Sequence, residues 1–186
     1  MPNWCENVLT ITHEDADVVD NLMAQVRAGD GDLFKYIKPM PEDTFRGNLG
    51  EDERKMCEEK GIPNWYDWAI SNWGTKWDAA DLDYTQHDDN SVSFNFNSAW
   101  SPPIPLYHEL MEQGFEVEAY FVEYGMMFAG EWHCDADGEV TDIVVDNIDE
   151  SDIPSELDEA MGITDTLAMW QDEDEEEEWP IDRADD

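Results

Sequence analysis

The residues best equipped for metal chemistry stand late in the chain. Asp135, Asp137 and Gly138 match the third, fifth and sixth positions of an EF-hand calcium loop. The first position would then be His133 and the twelfth Val144, so both anchoring positions fail, and Asp135-Ala136-Asp137-Gly138 reads as a turn. His133 and Cys134 are adjacent, but the other zinc-type ligands, Cys5, Cys57 and His87, are scattered singly. No Cys-x-x-Cys pair supports an iron–sulfur centre. Cys5 and Cys134 are therefore expected to be small core residues.

Catalytic signals are equally sparse. Glycine-rich dinucleotide and phosphate loops, His-Glu-x-x-His and Gly-x-Ser-x-Gly are all absent. Carboxylates are so abundant that a pair close in sequence says nothing about acid–base work. The expectation is no catalytic residue, no metal and no cofactor, although spacing alone does not exclude a constellation assembled by folding.

Charge is the stronger signal. Across 186 residues, 9 Lys and Arg face 48 Asp and Glu, for a formal net charge of -39. Eight of the nine basic residues lie between Arg27 and Lys76, the ninth being Arg183. The interval Trp77–Asp182 holds 31 acids and no Lys or Arg. Such a chain repels nucleic acid backbones and anionic membranes. Its acids must face water, cations or a basic partner. It is nonetheless a folding sequence, because 41% of it is apolar and it carries nine Trp, seven Phe and six Tyr.

The elements that would display these charges follow from periodicity. A strand is predicted at Asn7–Ile11, then a helix from the spacing of Val18, Val19, Leu22, Met23 and Val26, ended by Gly29. Prolines in Lys38-Pro39-Met40-Pro41 break regular structure, and a short charged helix is expected at Glu51–Lys60. Trp65–Trp77 reads as partly helical with a break at Gly74. Val92, Phe94 and Phe96 alternate on one strand. Pro105 begins a helix that runs to Met111 and is followed by Gly114. Phe115, Val117, Ala119 and Phe121 mark the next strand, Met126–Trp132 continues or pairs with it, and Val140–Val145 is another. A last helix is expected at Ser155–Met161, closed by Gly162. Antiparallel strands with helices on one face make an α+β sandwich. Residues 1–165 are read as a single domain and 166–186, with seven consecutive acids at Asp172–Glu178, as a flexible acidic tail.

Four strings carry a family resemblance. Met1-Pro2-Asn3-Trp4-Cys5-Glu6-Asn7, Lys38-Pro39-Met40-Pro41, Asn72-Trp73-Gly74-Thr75-Lys76-Trp77 and Ala99-Trp100-Ser101-Pro102-Pro103 resemble the Api92-like proteins of phages and plasmids, which carry a YubB-like, ferredoxin-like domain. The likeness covers roughly residues 1–145. It implies a ferredoxin-like α+β fold, with the Trp-rich region as a helical insertion, and brings no catalytic residue. Physically, Trp4, Trp73, Trp77 and Trp100 are expected to pack internally, the alternative being an exposed aromatic recognition patch. Lys76 is expected to neutralise a neighbouring acid.

Function is then read from the charge. The expectation is a DNA-mimicking inhibitor that occupies the basic groove of a host DNA-binding or defence protein. Glu109, Glu112, Glu116, Glu118, Glu123, Asp142, Asp146, Asp149 and Glu150 are the candidate partner contacts. The alternative is a protein-interaction module without mimicry, and less favoured still an enzyme with an unrecognised site. No direct nucleic acid contact and no membrane are expected, and a homodimer would need an apolar or cation-bridged contact against like-charge repulsion. Three sparse cysteines, no apolar run near 18 residues and an opening without signal-peptide character lead to an expected cytoplasmic location, in the host cell for a phage-encoded protein.

Overall fold

Alternation in the first ten or so residues sets the centre of the molecule. In β1 (Trp4–Thr12), Cys5, Leu9 and Ile11 are buried, and the strand is hydrogen-bonded on both sides. The computed structural model describes residues 3–177, without the side chains of 173–177. After β1 the chain runs through α1 (Ala16–Ala28), α2 (Phe34–Ile37), α3 (Glu51–Lys60) and α4 (Trp65–Asn72). Then follow β2 (Ala80–Gln86), β3 (Ser91–Ala99), α5 (Ile104–Glu112), β4 (Glu116–Glu123), β5 (Phe128–Cys134), β6 (Val140–Asp146), α6 (Ser155–Met161) and α7 (Ile163–Glu177).

The sheet is antiparallel throughout, in the order β2-β3-β1-β4-β5-β6. Leu9 stands opposite Phe94 on one neighbour and Ala119 on the other. The first four strands, with α1 and α5 as crossovers, form the split β-α-β-β-α-β arrangement of a ferredoxin-like fold. The segment α2–α4 is an insertion between α1 and β2, and β5 and β6 extend the sheet beyond β4.

Two apolar clusters hold the layers together. On one face, Leu9, Ile11, Phe94, Val117 and Trp132 meet Val19, Met23, Phe34, Leu106 and Leu110 from the helices. Between the layers, Phe34 packs edge-on against Phe96 and Trp73. The opposite face carries a smaller cluster of Val122, Ala129, Ile148, Leu157 and Ile163, through which α6 and α7 cover part of the sheet. Helices thus pack mainly, but not solely, on one face.

Most predicted elements stand where the periodicity put them. The unpredicted ones are α2, α7 and β2, the last with a register shift between Ala80 and Asp83 and Asp81 in a left-handed conformation. The boundary expected between residues 165 and 166 falls inside α7, where Leu167 packs against the second cluster. Of the acidic run Asp172–Glu178, the first six residues belong to that helix, and Glu178 lies outside the described residues.

Candidate functional site: a charge-divided surface

Among the described residues every Lys and Arg lies between Arg27 and Lys76, whereas acids run along the whole chain. Beyond Cys134 the chain forms the β5–β6 turn and the edge strand β6, then returns as α6 and α7 across the sheet face that carries the second cluster, where Ala160 and Met161 reach the level of β1 and β3. From Asp135 to Asp172 all acids except the half-buried Asp158 are exposed, and no Lys or Arg accompanies them. We call this region the acidic margin. Asp135 itself is part of the turn, since its Oδ1 accepts the backbone N–H groups of Asp137 and Glu139 at 3.0 and 2.9 Å. Among the described residues, no three His, Cys, Asp or Glu side chains converge on a point that could hold a metal.

The nine candidate contacts do not form one surface. Asp142 and Asp146 project from one face of β6, with Asp149 and Glu150 in the turn that follows, and all four are exposed. Glu116 and Glu118 project from the opposite face of β4. There they line a groove of about 330 Å³ with Tyr120, His133 and Glu156. Tyr120 donates to Glu118 at 2.8 Å, and burial, that bond and the nearby Glu131 and Glu156 push its phenol well up. Glu131 is 7% exposed, and its Oε2 lies 3.5 Å from His133 Nε2 without an aligned hydrogen bond. Such a groove suits the ammonium or guanidinium head of a basic side chain.

Two candidates must be withdrawn from the contact set. Glu123 is 1% exposed, and its carboxylate accepts the backbone N–H groups of Gly125 and Met126, so it closes the β4–β5 turn. Glu109 is engaged by Lys38 at 2.7 Å and accepts from Gln113, contacts that hold its carboxyl below the ordinary range. Glu112, on the same helix, is exposed.

The aromatic strings converge at the end of the sheet where β1 begins and β3 ends. Gly74 (φ +83°) ends the Trp-rich helical run, and a Cβ there would lie 2.6 Å from Pro105 Cδ. Its carbonyl accepts from Ser101, while Thr75 exchanges hydrogen bonds with Ala99 through both its roles. The Trp100 N–H donates to the Asn3 carbonyl at 3.0 Å. These links tie the Asn72–Trp77, Ala99–Pro103 and N-terminal strings to one end of the sheet. Trp73 is buried, donating from Nε1 to the Lys38 carbonyl at 2.9 Å.

Internal packing fails for the other three indoles. Trp4, Trp77 and Trp100 are 37%, 42% and 42% exposed, because Gly74 turns Trp77 off the Trp73 face and the left-handed Trp100 (φ +72°) turns its ring outward. Lys76, expected to meet an acid, instead places Nζ 3.7 and 3.9 Å from the ring centroids of Trp77 and Trp100. Sequence spacing gave no sign of this sandwich, since Trp100 is remote in the chain.

Two of the strings that meet here, Asn72–Trp77 and Ala99–Pro103, fall at the start of the segment that the family comparison picks out, and the N-terminal one lies outside it. A family model described as a ferredoxin-like domain in Api92-like protein matches residues 73–167, just over half the chain. The chain belongs to that family. The match runs from Trp73 to Leu167 and so spans β2 through the start of α7. The crystal structure of a protein api92 from Yersinia pseudotuberculosis is similar at 12% identity and a TM-score of 0.45, over 77% of this chain and 98% of that one. No curated protein matches. Among the described residues, no helix is long and apolar enough to cross a membrane.

Proposed function

We propose that the protein, encoded by a phage or plasmid, acts by occupancy rather than turnover, as an acidic mimic of DNA that fills the basic groove of a host DNA-binding or defence protein. The observation that carries this reading is the acidic margin, a folded surface of exposed carboxylates from Asp135 to Asp172 without a single Lys or Arg. Fixed carboxylates replace phosphates as counter-charges for the partner, and release of counterions favours the encounter. The groove beside Glu116 and Glu118 supplies a recess for a basic side chain at the edge of that surface. The host cytoplasm is the compartment in which such a partner would be met.

The test is capture from host lysate on the immobilised chain, eluted across a salt series and challenged with competing duplex DNA. The expected result is a basic DNA-binding protein released by both salt and duplex. Recovery of no such protein at low salt would overturn the reading. A second reading, interaction without mimicry, is favoured by the unpaired outer edge of β6, where Val140, Ile143 and Val144 are exposed. A captured partner that duplex DNA does not displace would select it.

A further inference from the structure

We propose, independently of the preceding reading, that the cleft between the insertion and the Trp-bearing end of the sheet binds a mononucleotide-like ligand, a planar heteroaromatic ring carrying a phosphate. The cleft measures about 590 Å³, within the usual range for small-molecule sites. Its lining includes Lys35, Arg46 and Lys76, three of only nine basic residues in the chain.

The lining carries three cations against two acids, Asp32 and Asp78, in a chain with 48 acids and nine Lys and Arg. Lys35, Lys38, Arg54 and Lys55 each find a carboxylate. Among the described residues, Arg27, Arg46, Lys60 and Lys76 have no carboxylate within 4.0 Å, and of these Arg46 and Lys76 line the cleft. Arg46 is held from Nη2 by the carbonyls of Met40 and Pro41, each at 3.3 Å, which leaves its other N–H groups free to fork onto an anion. The two acids in the lining are already engaged. Asp32 is paired with Lys35, and Asp78 accepts the backbone N–H groups of Leu33, Phe34, Lys35 and Ala79. At physiological salt the screening length is about 8 Å, so these local cations act on a ligand in the cleft despite the net charge.

The walls supply the planar half of the recognition. Trp65 donates from Nε1 to the Gly47 carbonyl at 3.0 Å, and Trp73 is fixed in the same way by Lys38. Both indoles are therefore oriented before any ligand arrives, and Tyr36 and Trp77 complete the aromatic surround. A neutral ring would leave the cations idle, and a bare phosphate would leave the indoles idle.

The experiment titrates the full chain with AMP and UMP, with adenosine, uridine and inorganic phosphate as controls, while following the indole N–H signals by NMR. The expected result is saturable shifts centred on Trp65, Trp73 and Trp77, with nucleosides and phosphate each binding about tenfold more weakly than the nucleotides. Arg46→Ala, at an exposed position, should reduce nucleotide binding to the nucleoside level without changing the thermal midpoint. Absence of a saturable shift with either nucleotide at millimolar concentration would overturn the proposal. So would equal binding of nucleoside and nucleotide, shifts confined to other indoles, or an Arg46→Ala protein that binds nucleotide unchanged.

Discussion

The insertion between α1 and β2 and the acidic margin on the far side of the sheet solve the problem of charge in different ways. In and around the insertion, Lys35, Lys38, Arg54 and Lys55 are paired locally, as in Arg54–Asp67 at 2.9 Å, and the helices are anchored to the main cluster by Phe34, Ile37 and Ala69. In the margin no cation is available, and α6 and α7 rest on a cluster of five buried residues. The first region is held by aromatic burial and local neutralisation. The second is held by a thin apolar contact working against like charges, and its stability must depend on the solvent.

The largest effect expected of a single change is in the first region. Phe34→Ala empties a fully buried site between Trp73 and Phe96 and should lower global stability by about 4 kcal/mol, measured by denaturant unfolding. Leu157→Ala should remove about 3 kcal/mol at α6, but locally. Hydrogen exchange should show α6 and α7 losing protection while β1, β3 and β4 keep theirs, and a uniform loss would break the comparison. Asp78→Ala removes the shared acceptor at the start of α2 and should cost about 2 kcal/mol, with faster exchange at Leu33, Phe34 and Lys35.

Two smaller effects sharpen the contrast. Glu109→Gln should cost about 1 kcal/mol at neutral pH, because the Lys38 contact holds the native carboxyl below its unfolded value. That contribution is fully present above the unfolded value of about 4.3 and is lost as pH falls through the lower native one. The gap between wild type and variant should therefore close only in acid. Raising ionic strength from about 0.01 M to about 1 M shortens screening from ~30 Å to ~3 Å. It should increase protection of α6 by on the order of 0.5 kcal/mol while leaving the insertion unchanged. Salt that loosened the margin would show that repulsion is not what limits it.

Much of this architecture was legible because it is written locally. The helices Glu51–Lys60 and Ser155–Met161 end where Gly61 and Gly162 adopt left-handed conformations, and β3 and β4 alternate until their last residues, which are buried on both faces. The burial of Glu123 was legible too, since it shares parity with Val117, Ala119 and Phe121. Strand β2 was hidden by its irregular start and largely polar, exposed residues. The outward turn of Trp77 and Trp100 depends on two backbone conformations that spacing does not encode. The cleft was illegible for a different reason. Its cations, Lys35, Arg46 and Lys76, stand 11 and 30 residues apart in sequence, and only the packing of the chain around α2 and α4 brings them to one cleft.

The position of β1 reaches beyond the folded state. This strand precedes the other five in the sheet and lies between β3 and β4, so its two hydrogen-bonding edges find partners only when residues 91–123 have been made. Ribosomal emergence therefore presents the cationic, tryptophan-rich stretch while the sheet still lacks its interior, and folding to completion awaits strands encoded much later. For the same reason the family-matched segment beginning at Trp73 lacks the strand that joins β3 to β4. Without the first dozen residues the sheet would part into a two-stranded ribbon and a three-stranded remnant, each with a raw apolar border.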